Sequence, residues 1–231
     1  MEHKPSCLFS LLRDCGPLTR ILPQIDVLCG GPESEKWHPE IVKGAHIMQV
    51  IDYAASKNYS LPVRFAALNH DLGKGVTPRN LWPSHTGHEK NSVKLVKSLC
   101  ERIRAPKKSR DLSLLVARFH SNVHRIAELN PTTIVDMLLA VDAYRKPERF
   151  GEFIHACECD FHGRSGYVDK LYPQATWLRE AFNVSKKIDC GAIAASLAST
   201  IYDHACLSNS INTKIRYAQV NEIKDNSTLS F

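Results

Sequence analysis

The chain has 231 residues, 43% of them hydrophobic and 23% charged, the balance of an ordinary globular protein with core enough for one large domain, with or without an added subdomain. Its formal charge of +6 favours an anionic partner without naming one. No signal-like apolar stretch opens the sequence and no apolar run nears membrane-spanning length, so no membrane association is expected.

Apolar spacing is helical almost throughout, and strand-like alternation of useful length is absent. The expectation is an all-α fold. Leu8 to Cys29 reads as two short helices broken at Cys15-Gly-Pro17. Pro39 and Glu40 suit the first turn of a helix reaching about Lys57, with Ile47, Val50, Ile51 and Ala54 on one face. Pro62 opens a helix ending at Gly73 or Gly75, where a left-handed glycine cap is expected. Further helices are predicted from about Gly87 to Arg104 and from an N-cap at Ser109 past His120. The basic run Glu101–Arg110 reads as the solvated turn between them. Asn130-Pro131 starts a helix that should end before Pro147, with Ile134, Met137, Leu138 and Val141 on its stripe. Three more are predicted near 148–159, 172–186 and 189–206. From Ser208 the chain turns polar, and a frayed tail is expected.

Eight cysteines stand at positions 7, 15, 29, 100, 157, 159, 190 and 206. No Cys-x-x-Cys pair occurs among them, which argues against a zinc ribbon or a thioredoxin-type site. Free thiols in a reducing, cytoplasmic setting are expected, several of them as small core residues.

One stretch does not fit a plain core. "FAALNHDLGKG", Phe65 to Gly75, ends an apolar helix by setting His70 beside Asp71, and a buried lone carboxylate is costly unless something positive meets it. Lys74, solvent or a metal ion could do so. His46 edges the apolar stripe of the preceding helix, and Asp142 follows Leu138 by four residues. All four flank core-facing stripes on consecutive helices, the way helical bundles build metal sites. Two imidazoles and two carboxylates suit Mg²⁺, Mn²⁺, Co²⁺, Ni²⁺ or Fe rather than a thiolate-seeking ion. The plainer alternatives are a satisfied, partly buried His46 and a surface ion pair of Asp142 with Arg145 or Lys146. His85 and His88 frame a loop-to-helix start, and His120 and His124 lie one turn apart, spaced to meet one ion or to cap an exposed face. Lys74, Arg145 and Arg164 are candidate phosphate partners, with an Arg164–Asp160 salt bridge as the alternative for Arg164.

The order His46, His70-Asp71-x-Gly-Lys74, Asp142 resembles the HD-domain metal-dependent phosphohydrolases. More closely, the chain is similar to the C-terminal HD half of bacterial multifunctional CCA-adding proteins (tRNA nucleotidyltransferases). The segments that carry this are Leu12-Arg-Asp-Cys-Gly16, Trp37-His-Pro-Glu-Ile41, His70-Asp-Leu-Gly-Lys-Gly75, Leu81-Trp-Pro83, Asp142-Ala-Tyr-Arg-Lys-Pro147 and Asp160-Phe-His-Gly-Arg-Ser-Gly166. The resemblance spans roughly residues 6 to 190. It implies His46, His70, Asp71 and Asp142 as metal ligands, and an HD-domain helical bundle with an additional C-terminal helical subdomain. It also implies 2′,3′-cyclic phosphodiesterase, 2′-nucleotidase and phosphatase activity on nucleotide or RNA phosphoesters, supported by nickel or another divalent ion. Within that reading Asp71, Lys74, His88 and His120 are the candidate catalytic residues, and Lys74, Arg145 and Arg164 the candidate substrate-binding ones. The expected organisation is a helical linker region over 1–36, the HD metal-binding domain over 37–150, a helical region over 151–206 and a disordered tail over 207–231. The family's nucleotidyltransferase head, with its Gly-rich segment and paired aspartates, has no counterpart in this sequence, so CCA addition by this chain alone is not expected. A free-standing HD protein and a truncated copy of the larger enzyme both stay open, as does a homodimer. The rival functions are a tRNA-binding module or inactive fragment, and an HD-type nucleotide triphosphohydrolase. A Gly-Tyr-Pro signature after the HD pair is missing, which argues against the cyclic-di-GMP type.

Overall fold

A computed structural model of the chain describes residues 3–30, 41–82, 84–200 and 203–226, with side chains at all of these except 41–43. The described residues are helical, with no strand among them. Proline holds the first position of many helices, where its missing N–H costs nothing and its fixed φ suits the turn: α1 (Pro5–Asp14), α2 (Pro17–Ile21), α3 (Pro23–Leu28), α8 (Pro131–Ala140), α9 (Pro147–His162) and α10 (Pro173–Ser185). The others are α4 (Ile41–Ser56), α5 (Leu61–Asn69), α6 (His88–Arg102), α7 (Lys107–His124), α11 (Cys190–Ala198) and α12 (His204–Asp225). Pro39 and Glu40, expected to open α4, fall outside the described residues. Ser109 is not an N-cap, because α7 has already begun at Lys107 and Ser109 is buried in its first turns.

Two compact units emerge: Met1–His124 with Glu148–Tyr172, and Arg125–Pro147 with Pro173–Phe231. The chain therefore leaves the first unit after α7 and returns to it with α9, instead of following four consecutive segments.

In the first unit α5 packs on α4 and α7, and α6 packs on α7 and on a 3₁₀ turn, Leu72–Val76. Its core joins Ile25, Leu28, Ile47, Ile51, Leu72, Val96, Leu99 and Ala117. A fully buried Leu such as Leu72, 1% exposed, contributes roughly 1.5–3 kcal/mol. Gly73 and Gly75 were expected as left-handed caps. Neither has positive φ, and the reason for glycine is close approach. A Cβ on Gly73 would sit 2.1 Å from the His88 carbonyl oxygen and 2.6 Å from Ser92 N. The turn can thus press against the start of α6, where Ser92 Oγ accepts from Gly73 N at 2.8 Å.

In the second unit α12 packs on α8, α10 and α11. Asn130 caps α8 through Thr133 N at 2.8 Å, as its Asn-Pro start predicts. The disordered tail expected over 207–231 is corrected as far as Asp225: Asp203 caps α12 through Cys206 N at 2.6 Å. Gln219 and Ile223, one turn apart, are buried. Arg216 forks onto Asp136 of α8 at 2.6 and 2.8 Å. Polar composition hid an apolar i, i+4, i+7 spacing at Ile211, Ile215 and Ala218. Residues 227–231 lie outside the described part.

Candidate metal centre

Four helices of the first unit, and the turn that ends a fifth, aim imidazoles and carboxylates at one point. His46 comes from α4, His70 and Asp71 from the end of α5, and His88 from the first position of α6. His120 comes from α7 and Asp160 from α9.

The backbone sets the ring orientations. A carbonyl oxygen only accepts, so an Nδ1 facing one must carry the proton. His70 Nδ1 donates to the Ala67 carbonyl at 2.7 Å, His88 Nδ1 to His85 at 3.0 Å, and His120 Nδ1 to Val116 at 2.9 Å. His46 Nδ1 donates to the Gly163 carbonyl at 3.2 Å. Each neutral ring then turns Nε2 inward, towards the carboxylates. His46 Nε2 is 3.0 Å from Asp160 Oδ1, and His70 Nε2 lies 3.2 Å from Asp71 Oδ2 and 3.5 Å from Asp160 Oδ1. His88 Nε2 and His120 Nε2 are 3.2 and 3.3 Å from Asp71 Oδ1.

Lone pairs facing one another in a buried space repel unless a cation or proton lies between them. His70 Nε2, Asp71 Oδ1 and His88 Nε2 are buried without a hydrogen-bond partner, so although carboxylate oxygens lie near, their alignment does not make a bond. Such orphaned atoms require an explanation. The possible ligand atoms fall into three overlapping groups, each within 4.8 Å: His46, His70 and Asp71; His70, His120 and Asp160; and Asp71, His88 and His120. This nitrogen and oxygen set, without thiolate, fits a divalent cation of the Mg²⁺ to Ni²⁺ range.

The charge balance agrees. Burial alone would lower the His70 pKa, but the Asp71 and Asp160 carboxylates outweigh it and push it up to about 10. Asp71 and Asp160 are held well below the usual carboxylate range: burial opposes this, and His70 with Lys74, or His70 with His124, overcomes it. Without a metal, the cluster holds a proton where a cation would bind. Lys74 Nζ reaches Asp71 Oδ2 at 2.5 Å.

A pocket of about 500 Å³ opens on the cluster, lined by His46, Gln49, Asp71, Lys74, Asp160 and Arg164 among others. Lys74 and Arg164 bring positive charge to its wall, with Arg164 3.9 Å from Asp160.

The structure thus brings together His46, His70, Asp71, Lys74, His88, His120 and Arg164 within the first unit, whereas two other expected residues, Asp142 and Arg145, belong to the second. Asp142, expected as a ligand, is in none of the ligand groups among the described residues. Helix α8 ends at Ala140, and Asp142 turns to φ 58°, so the helical spacing from Leu138 no longer aims its side chain. Arg145 Nε holds its carboxylate at 2.6 Å and Lys146 lies at 3.4 Å. Arg145 in turn is committed to Asp142 and is not part of the pocket lining. The carboxylate that meets His46 and His70 is Asp160. Its sequence signal was a charge on an otherwise apolar stripe, Phe150, Phe153, Ile154 and Cys157, all buried in α9. His120 and His124, one turn apart, do not share an ion site: His120 faces Asp71, and His124 donates to Asp160 Oδ2 at 2.5 Å.

An all-helical unit built around a His/His-Asp/Asp cluster defines an HD-domain protein. Residues 44–147 match the HD domain family; Asp160 lies beyond the matched range. The chain is 57% identical over 225 residues to the multifunctional CCA protein of Nitrosospira multiformis, covering 97% of this chain and 54% of that protein. It is 54% identical over 224 residues to that of Nitrosomonas eutropha, with 97% and 54% covered. Against that of Burkholderia cenocepacia it is 52% identical over 199 residues, 86% of this chain and 48% of the relative. The chain spans about half the length of the curated relatives it matches. No solved structure matches it. Among the described residues no helix is long and apolar enough to cross a membrane.

Proposed function

We propose that this chain is a divalent-metal-dependent phosphohydrolase acting on nucleotide or RNA phosphoesters, with 2′,3′-cyclic phosphodiesterase, 2′-nucleotidase and phosphatase reactions as its range. The observation that carries this reading is the set of orphaned inward lone pairs on His70, Asp71 and His88, beside a pocket whose wall holds Lys74 and Arg164. His46, His70, Asp71 and Asp160 would hold the ion. A Ni²⁺, Mn²⁺, Co²⁺ or Mg²⁺ bound there would lower the pKa of a bound water and polarise a phosphoryl oxygen.

The chain's own residues do the rest. Lys74 and Arg164 neutralise the phosphate and orient it at the mouth of the cluster. His88 and His120 both turn Nε2 towards Asp71 Oδ1, where they would meet a second cation beside that carboxylate. Buried walls exclude bulk water and strengthen each of these charges. Opening a 2′,3′-cyclic phosphate breaks one P–O bond, and the proton from water ends on the freed ribose oxygen.

An RNA end is favoured as substrate over a free nucleotide by the +6 charge and by the relatives' name, multifunctional CCA protein. A cytoplasmic setting fits such a substrate. The experiment is a phosphoester panel with added Ni²⁺, Mn²⁺, Co²⁺ or Mg²⁺. It compares 2′,3′-cyclic AMP, 2′-AMP, nucleoside triphosphates and an RNA oligomer ending in a 2′,3′-cyclic phosphate. Metal-dependent turnover of the cyclic phosphates, abolished in Asp160→Asn, supports the reading. Turnover of triphosphates alone replaces it with a triphosphohydrolase, and salt-sensitive tRNA binding without any turnover replaces it with a binding module.

A further inference from the structure

One histidine of the cluster is wired the opposite way. Among the described residues of the cluster, His46, His70, His88 and His120 turn Nδ1 to a backbone carbonyl. His124 turns Nδ1 to the Tyr172 hydroxyl at 2.8 Å and Nε2 to Asp160 Oδ2 at 2.5 Å. A carboxylate only accepts, so Nε2 carries the proton and Nδ1 takes one from the tyrosine hydroxyl. Tyr172, itself 8% exposed, packs its ring on Phe161 with centroids 4.6 Å apart, which fixes the direction of its O–H.

We propose that Tyr172 and His124 are positioning residues that set the rotation of the Asp160 carboxylate, holding Oδ2 so that only Oδ1 is offered to the ion. The geometry follows from the distances. Asp160 Oδ2 is occupied by His124, while Oδ1 lies 3.0 Å from His46 Nε2 and 3.5 Å from His70 Nε2. A carboxylate free to rotate could chelate with both oxygens or turn away. One gripped by a donor on Oδ2 presents a single oxygen in one direction, and the donated hydrogen bond steadies its charge. The tyrosine hydroxyl selects the tautomer: a backbone carbonyl in its place would put the proton on Nδ1 and leave Nε2 repelling Asp160. His124 therefore serves the site without being a ligand. This inference rests on the metal reading above and on no assignment of substrate.

The experiment titrates the metal-free 231-residue chain with Mn²⁺ and Co²⁺ by calorimetry and records the visible spectrum of the Co²⁺ form. Tyr172→Phe, which removes one oxygen and keeps the ring, should weaken binding roughly tenfold and shift the Co²⁺ bands, within the 10–100-fold range typical of such outer partners. The urea midpoint of the metal-free protein should stay near that of the unmodified chain. His124→Ala should lose more, and His124→Gln, whose amide N–H can still donate to Oδ2, should recover part of it. ¹⁵N shifts of the imidazoles in the Mg²⁺- or Zn²⁺-loaded protein should report His124 as the Nε2–H tautomer. Unchanged affinities and spectra in Tyr172→Phe and His124→Gln, or an Nδ1–H tautomer at His124, overturn the proposal. A protein that binds Mn²⁺ with these effects yet hydrolyses no phosphoester would remove the proposed function and leave this inference standing. An unmodified chain that binds neither ion removes both.

Discussion

Gly163 lies so close to Val50 that a Cβ added to it would meet Val50 Cα at 2.7 Å and Val50 N at 2.8 Å. These are backbone atoms of α4, so neither can swing aside. The contact docks the end of α9 against the helix that carries His46, and the Gly163 carbonyl is the acceptor that orients that ring. Gly163→Ala should therefore push α9 from α4 and part Asp160 from His46. The expected result is a loss of roughly 1–3 kcal/mol in urea unfolding and a larger proportional loss in Mn²⁺ affinity by calorimetry. Full retention of metal affinity would mean that the two helices do not need this contact to assemble the site.

The two aspartates 18 residues apart make a sharp comparison. Asp160→Asn should weaken metal binding beyond the roughly 10–100-fold that partners outside the ligand set command, and should abolish hydrolysis. Asp142→Asn should leave both near those of the unmodified chain, since asparagine tolerates the positive φ at that position and Arg145 and Lys146 hold the Asp142 carboxylate. Metal titration and the phosphoester panel on both variants decide it.

Lys74 bonds Asp71 and lines the pocket, which gives it two possible partners, the carboxylate and the substrate phosphate. Lys74→Met should lower kcat/KM by about 10²-fold, the usual loss on removing a donor that meets developing charge. Metal affinity should hold or rise, because a competitor for Asp71 is gone. A fall in metal affinity matching the loss of turnover would show that Lys74 serves the cluster's structure instead.

The pH dependence follows from the directions of the shifts. His70 is raised to about 10 in the metal-free cluster, above its ordinary 6.5. Its protonated form thus stabilises the metal-free fold fully below about pH 6.5, and that stabilisation fades as pH climbs towards 10. Asp71 and Asp160 are lowered, so their contribution is present above ordinary carboxylate pKa values and is lost as pH falls below them. Metal binding must displace the His70 proton, so affinity should rise with pH between 6.5 and 10. Calorimetry in buffers of different ionisation enthalpy should register about one proton released per ion near neutral pH. No proton release would mean that His70 is already neutral when the ion arrives.

Ile223, 3% exposed on α12, tests the second unit. Ile223→Ala should cost about 2–5 kcal/mol in urea unfolding, whereas a frayed tail would make it silent.

Much of the helix map could be read locally. Proline at first helical positions, the Asn130 cap and the i, i+3, i+4 stripes are short-range signals, and the structure puts α6, α8, α9 and α10 near where they predict. The misreadings have physical causes. Composition misled at α12, where the apolar spacing was present but diluted. A glycine's cause was misassigned at Gly73, because close approach to His88 and Ser92 leaves no mark on neighbouring residues.

The sequence by itself determined an all-helical chain, the His46, His70-Asp71 and Lys74 cluster as a centre of interest, and the metal chemistry such donors suit, because residue type and helical period are local properties. Only the tertiary structure decided that Asp160 meets the imidazoles. It also decided which nitrogen of each ring turns inward. Both depend on where α9 returns to α4 and on which backbone carbonyl or hydroxyl stands behind each ring, and such distances between residues about a hundred positions apart are written in packing, not in spacing.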